Sequence, residues 1–86
     1  MTEFDVSPSQ WEALELVVRR ADGSAPTYVV HSIPEGDAAI MAVQAEALER
    51  RGFININDTI AWPTDGGRRA LASHQRMEER RAQRER

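Results

Sequence analysis

Apolar residues recur at helical spacing soon after the start of the chain, behind a clear helix-start signal. Ser7 can cap a helix whose first residue is Pro8, and Gln10 completes a Ser-x-x-Gln capping box. Gly23 suits a left-handed cap at the other end. The pattern predicts a first helix over residues 8–21. Its apolar face consists of Trp11, Leu14, Leu16, Val17 and Val18.

The following segment, residues 27–37, supports two predictions. Its aromatic and β-branched residues favour a strand by propensity. Thr27 as a cap and Pro34 as a stop fit a short helix equally well. Both predictions stay open for residues 27–33, and the Pro-Glu-Gly-Asp sequence after them predicts a turn.

A second helix pattern begins after Asp37, which is a good N-terminal cap. Residues 38–51 consist mostly of strong helix formers. Arg50 and Arg51 fall in the last turn, where positive charge is favoured by the negative end of the helix dipole. Gly52 suits the C-terminal stop, so we expect one continuous helix between Asp37 and Gly52.

Two short apolar runs, residues 53–56 and 59–62, flank Asn57 and Asp58. Asn and Asp tolerate positive φ and suit a two-residue turn, so we expect a β-hairpin with its tip at this pair. Pro63 then ends the second strand. Which apolar side chains point toward the core depends on pleat parity, which the pattern leaves open.

A last helix follows, with Thr64 or Asp65 as its cap. Its apolar content fades after Met77, so the final residues are expected to fray. The chain has the length of one domain and shows no internal repeat or linker. We therefore predict a domain over residues 1–75, followed by a basic helix or tail over residues 76–86.

The order of helix, short element, helix, hairpin and helix resembles a winged helix-turn-helix domain. "LERRGFI" is similar to the end of a recognition helix, and "PTDGGRRAL" is similar to the step after the wing in MarR and PadR regulators. In this chain that step consists of Thr64, Asp65, Gly67 and Arg68. The resemblance covers about residues 9–75. It implies a mainly α fold with a small antiparallel hairpin, and a DNA-binding transcriptional regulator.

The resemblance also implies a site. The helix over residues 38–51 would correspond to the recognition helix, which is the third helix of the family's fold, and would enter the major groove of double-stranded DNA. Two arginine pairs would contact phosphates. The face toward DNA or a partner would consist of Asp37, Ala38, Ala39, Ala42, Val43, Gln44 and Glu46. The phosphate contacts would be Arg50, Arg51, Arg68 and Arg69.

The chemistry of this face favours a second hypothesis. A DNA-reading helix needs Arg, Lys, Asn or Gln at exposed positions, whereas this one offers Ala, Val, one glutamine and two acids. The predicted wing also carries no Arg or Lys. An apolar stripe on a small acidic domain is typical of a protein interface. The alternative function is therefore a protein–protein interaction module, such as a phage-encoded modulator of a host protein, that does not read DNA.

Charge is distributed unevenly along the chain. The formal net charge is −3, but residues 1–63 contribute −6 and residues 64–86 contribute +3. A basic arm that binds nucleic acid and an ordinary solvated helix with mixed charges both fit this asymmetry. All 11 basic residues are arginine, which is typical of a GC-rich genome such as that of an actinobacterium or its phage.

The last helix also supports the hypothesis of a homodimer. Winged-helix regulators often dimerise through such a helix, and Leu71 and Met77 could contribute. Its apolar residues nevertheless make a poor heptad seam. The pairs Glu78–Arg81 and Arg81–Glu85 favour a solvated helix instead.

The sequence contains little that indicates an enzyme. His31 and His74 are the only histidines and are isolated, there is no cysteine, and no nucleophile or phosphate-loop motif is present. We therefore expect no catalytic residue, no metal and no cofactor. The start of the chain does not resemble a signal peptide and no apolar run could span a bilayer, so we expect a cytoplasmic protein without membrane contact.

Overall fold

Three helices and four strands make up residues 6–84, the part of the chain that the computed structural model describes. In chain order they are α1 (Pro8–Asp22), β1 (Thr27–Val30), β2 (Ala39–Met41), α2 (Ala42–Arg50), β3 (Ile54–Asn57), β4 (Ile60–Pro63) and α3 (Asp65–Arg84).

Helix α1 begins as the sequence predicts and ends one residue later. The Ser7 side chain accepts a hydrogen bond from the Gln10 amide, at 3.4 Å, and Pro8 opens the first turn. Gly23 follows the helix with φ −89°, and the left-handed residue is Ser24 at φ 61°. The cap prediction at Ser7 is confirmed, but the capping box is incomplete, because the buried Gln10 Oε1 accepts no hydrogen bond among the described residues. The left-handed conformation is displaced from Gly23 to its neighbour.

The four strands form one mixed sheet in the order β2-β1-β4-β3. Strands β1 and β2 are parallel, with Tyr28 opposite Ala39, while β1 and β4 are antiparallel, with Tyr28 opposite Ile60. Strands β3 and β4 form the predicted hairpin. Its turn consists of Asp58 and Thr59, one residue later than predicted, and Asp58 supplies the positive φ of 61°.

The predicted winged helix-turn-helix fold is wrong, and so is the mainly α class. Three helices pack with a four-stranded sheet that contains a parallel pair, which makes this an α/β fold. Residues 27–30 are a strand, and no helix forms between β1 and β2. A helix-turn-helix needs a helix at that place, directly before the recognition helix. The hairpin extends a larger sheet and is not a separate wing.

The second predicted helix starts later than its composition suggests. The Tyr28 amide donates to the Ala38 carbonyl at 2.9 Å, and Ala39–Met41 continue the parallel ladder with β1. Helix α2 therefore begins only at Ala42, with Met41 at the cap position, and the predicted cap at Asp37 is wrong. Its end agrees with the prediction, since Gly52 lies just beyond it at φ 75°.

All three helices pack on one face of the sheet. The core cluster combines side chains of α1, α2 and α3 with every second residue of the strands. Leu14 and Leu48 have no exposed surface, and Ile54 is 1% exposed. The strand residues that point into this core are Thr27, Val29, Ile40, Ile54, Ile56 and Ala61.

The "PTDGGRRAL" segment forms a tight junction between α2 and α3. The Thr64 hydroxyl donates to the Gly52 carbonyl at 2.5 Å and accepts from the Gly67 amide at 3.0 Å, so Thr64 caps α3. Gly67 lies against the backbone of Phe53, where a Cβ atom would come within 2.0 Å of the Phe53 oxygen. The glycine is thus required by close packing of the two chain segments.

Helices α1 and α3 lie antiparallel. Near one end Arg68 pairs with Asp22 at 2.6 Å, and further along the His74 ring stacks on Trp11 with centroids 4.2 Å apart.

Every described residue of α3 from Gln75 onward is exposed. The domain boundary predicted between residues 75 and 76 therefore falls inside α3, where burial ends. Residues 1–5 of the predicted domain and residues 85–86 of the predicted tail lie outside the described residues. The predicted Arg81–Glu85 pair includes Glu85 and therefore also lies outside them.

Candidate functional site

The side of the sheet that faces away from the helices carries a continuous set of uncharged residues. Strand partners in register share a face, so the register assigns these positions without ambiguity. Tyr28 lies opposite both Ala39 and Ile60, and Trp62 lies opposite Asn55. We call this set the outer face. It consists of Tyr28, Val30, Ala39, Met41, Asn55, Asn57, Ile60 and Trp62.

Two aromatic side chains dominate the outer face. Tyr28 is 44% exposed and Trp62 is 39% exposed. Strands β1 and β4 are neighbours, and Trp62 lies two residues beyond the partner of Tyr28, so the two side chains are diagonal neighbours. Tyr and Trp are the side chains that most often supply binding energy at protein interfaces. Their exposure on a helix-free face distinguishes this surface from the rest of the described chain.

A groove beside α2 adjoins the outer face. It has a volume of about 270 Å³ and shares Val30 and Met41 with that face. Its remaining lining comes from the end of β1 and from one side of α2: His31, Ala42, Val43, Glu46 and Arg50. We call it the α2 groove. Val43 is 64% exposed, so the groove extends the apolar surface onto a helix and adds one carboxylate and one guanidinium at its wall.

The structure divides the predicted DNA or partner face among several elements. Asp37 and Ala38 lie in the bend before β2, and Ala39 lies in β2 itself. Gln44 turns toward α1, where its amide nitrogen and the Ser9 hydroxyl are 3.2 Å apart. The residues that do share a surface line the α2 groove: Ala42, Val43 and Glu46.

The four predicted phosphate contacts flank the α2–α3 junction. Arg50 lines the α2 groove and Arg51 follows the end of α2. Arg68 pairs with Asp22 instead of pointing freely to solvent, while Arg69 is exposed in the first turns of α3. The Arg68 guanidinium is therefore already engaged in holding α1 to α3.

The two histidines lie in different surroundings. His31 lines the α2 groove, and His74 stacks on Trp11 with an angle of 7° between the rings. Within residues 6–84 there is no group of three or more His, Asp or Glu side chains placed to hold a metal ion. None of the three helices in this range combines the length and apolar character that a membrane-spanning segment needs.

No family model, no curated protein and no solved structure matches this chain.

The outer face itself was missed by sequence reasoning. Its residues alternate with core residues in β1, β3 and β4, and that alternation is visible in "TYVV", "ININ" and "IAWP". The missing information was the pairing of β1 with β4, which decides the face on which Tyr28 and Trp62 lie.

Proposed function

We propose that this chain is a protein-interaction module that binds a partner protein through the outer face and the adjoining α2 groove. The observation that carries the proposal is the bare sheet face with Tyr28 and Trp62 exposed and no charged residue on it. A domain of this size gains stability from every apolar group it buries, so an apolar sheet face left open is a surface that a partner can cover.

The surroundings of the outer face indicate the partner's chemistry. Asp37 precedes β2 and Asp58 lies in the β3–β4 turn, so carboxylates stand near opposite ends of the sheet. Glu46 and Arg50 add one charge of each sign at the α2 groove. Carboxylates thus predominate around an uncharged centre. The matching partner surface is apolar at its centre and carries basic residues at its rim.

Pairing at the sheet edge is a less suitable mode of binding. Strand β3 is an edge strand, and the carboxylate of Glu49 accepts a hydrogen bond from the Ile56 amide at 3.3 Å. Strand β2, at the opposite edge, is only three residues long. Short or covered edges offer little backbone for an added strand, so the face and not the edge is the docking surface.

DNA binding has less support from this geometry. A nucleic-acid surface needs clustered cations, whereas the outer face has none and its neighbours are mainly acidic. The helix that was to enter the major groove starts only at Ala42, and Asp37–Ala39 lie outside it. The protein-interaction hypothesis explains the exposed aromatics, which the DNA hypothesis leaves without a role.

The test compares a Tyr28→Ala/Trp62→Ala double variant with wild type. Proteins captured from a lysate of the source organism by immobilised wild type are identified, and the leading partner is purified. We expect its dissociation constant to rise at least about tenfold for the double variant. Ile33→Ala, which removes an exposed apolar side chain outside the outer face and the α2 groove, is the control and should leave the dissociation constant unchanged.

Two results would contradict the proposal. One is a partner whose affinity is the same for wild type and for the double variant. The other is salt-sensitive retardation of duplex DNA by wild type that Arg50→Ala and Arg69→Ala weaken, with no protein partner bound through the outer face.

A further inference from the structure

A cleft between α1 and α3 lies on the helix side of the molecule, away from the outer face. Its volume is about 350 Å³, and Trp11 and Leu71 supply apolar lining. Three carboxylates surround that lining: Glu12 and Glu15 on α1, and Glu78 on α3. We call this the acidic cleft. It presents negative charge around an apolar floor.

The exposed half of α3, residues 75–84, has the opposite net charge, with four arginines and two glutamates, and we call it the arm. Met77 is 61% exposed, and Arg80, Arg81 and Arg84 line a shallow hollow of about 270 Å³ together with it. These positions follow the spacing i, i+3, i+4 and i+7, so they lie on one side of the helix. The arm therefore presents an apolar centre surrounded by three guanidinium groups.

We propose that two copies of this chain associate through antiparallel pairing of their α3 helices, the arm of each copy lying on the acidic cleft of the other. The two surfaces match in charge, with Arg80, Arg81 and Arg84 on the arm and Glu12 and Glu15 on the α1 side of the cleft. Each copy has one arm and one acidic cleft. A two-fold axis therefore forms the same arm–cleft contact twice, once in each direction.

The geometry of the helices permits this arrangement. Pro8 and Glu78 line the same cleft, so α3 continues beyond the start of α1 for about 9 Å, at 1.5 Å per residue. In an antiparallel pair centred on Met77, Arg81 and Arg84 of the second copy come opposite positions 73 and 70. Glu15 borders α3 at this level, because it shares clefts with both Leu71 and Gln75.

The competing ion pairs within one chain are weak. Glu15 pairs with Arg19 at 3.7 Å and Glu78 pairs with Arg81 at 3.8 Å, and in each pair both side chains are more than half exposed. Such exposed pairs contribute little to stability. Exchanging them for pairs between two copies costs little. The two Met77 side chains, which are exposed in the single chain, would meet at the two-fold axis and leave water.

The experiment is sedimentation equilibrium of the full chain at 50 mM and at 500 mM salt. We expect a dimer at low salt, with a dissociation constant at least about tenfold higher at high salt because the contact is largely ionic. The arm variant Arg80→Glu/Arg84→Glu and the cleft variant Glu12→Arg/Glu15→Arg should each be monomeric at low salt. An equimolar mixture of the two variants should form a heterodimer, because the reversed charges match again.

Matched controls use the same charge changes elsewhere on the surface. Arg50→Glu/Arg69→Glu and Glu35→Arg/Glu46→Arg should leave the dimer intact, since these residues lie outside the arm and the cleft. Circular dichroism of every variant establishes that α3 is retained. The recovery of a dimer on mixing would itself exclude unfolding as the cause of dissociation.

Three results would overturn the proposal: a monomeric wild type at low salt, a dimer that both charge-reversed variants retain, or a mixture that fails to associate. The proposal does not depend on the outer face. Tyr28→Ala/Trp62→Ala should still dimerise, so failure of this proposal and failure of the proposed function are distinguishable. Loss of dimer in that variant would assign self-association to the sheet and contradict the α3 pairing.

Discussion

Two adjacent glycines at the start of α3 have different structural roles. A Cβ atom on Gly67 would lie 2.0 Å from the backbone oxygen of Phe53, whereas one on Gly66 would meet nothing closer than 3.6 Å. Gly67→Ala must therefore push α3 away from the α2–β3 connection. We expect it to lower the free energy of unfolding by about 2–4 kcal/mol, in the range of severe overpacking.

Gly66→Ala provides the matched control for this prediction. The same methyl group at Gly66 makes only ordinary contacts and removes backbone freedom from the unfolded chain, so we expect a change within about 1 kcal/mol, in the stabilising direction. Urea denaturation of both variants measures the difference. Equal effects of the two substitutions would contradict the close approach at Gly67.

Thr27 is a second residue with a measurable consequence. It is 1% exposed, points into the core, and its hydroxyl has no hydrogen-bond partner among the described residues. A buried polar group without a partner costs free energy, and valine has nearly the same shape. Thr27→Val should therefore raise the free energy of unfolding by about 1 kcal/mol.

Thr27→Ser is the informative comparison, because it keeps the hydroxyl and removes the methyl group. It should lower the free energy of unfolding by about 1 kcal/mol, as other deletions of a buried methyl do. Thermal unfolding of the two variants should thus shift the melting temperature in opposite directions. A destabilised Thr27→Val protein would show that the hydroxyl has a partner in solution.

At the scale of elements, the hydroxyl of Thr64 links the end of α2 to the start of α3. Thr64 caps α3 through the Gly67 amide and also donates to the Gly52 carbonyl just beyond α2. Thr64→Ala removes both bonds, and we expect a loss of about 1–2 kcal/mol. Thr64→Ser retains the oxygen and should stay within about 0.5 kcal/mol of wild type. Chemical denaturation checks both values, and equal losses would rule out the capping role.

Elements with local signals were predictable from the sequence. The start of α1 follows from Ser7 and Pro8, and the stop after α2 follows from Gly52. The hairpin follows from two apolar runs around a short polar turn. Each of these features is decided by residues close together in the chain, so a pattern of a few positions is sufficient.

The sheet topology was not predictable, because it depends on distant pairings. Ala39–Met41 have the composition of a helix start, but pairing with β1 places them in a strand. Tertiary contacts override propensity here. The candidate site was predictable only in part, for the same reason. Val43 and Glu46 were predicted and do line the α2 groove. The position of the aromatic residues on the outer face was not predicted, because it depends on the register between β1 and β4.

At the scale of the whole molecule, the two proposed surfaces lie on opposite sides of the sheet and helix layers. The outer face belongs to the bare side of the sheet, and the arm and acidic cleft belong to the helix layer. A dimer formed through α3 would therefore keep both outer faces accessible. The assembly would be a bivalent binder, which gains apparent affinity when its partners are held close together.

Bivalency makes a prediction that rests on both proposals. On a surface densely coated with the purified partner, wild type should dissociate at least about tenfold more slowly than the monomeric Arg80→Glu/Arg84→Glu variant, because two faces must release together. In dilute solution the two proteins should bind the partner with equal affinity per outer face. Surface plasmon resonance at high and low coating density, with calorimetry in solution, separates the two effects. A variant that also loses affinity in solution would show that the arm itself contacts the partner.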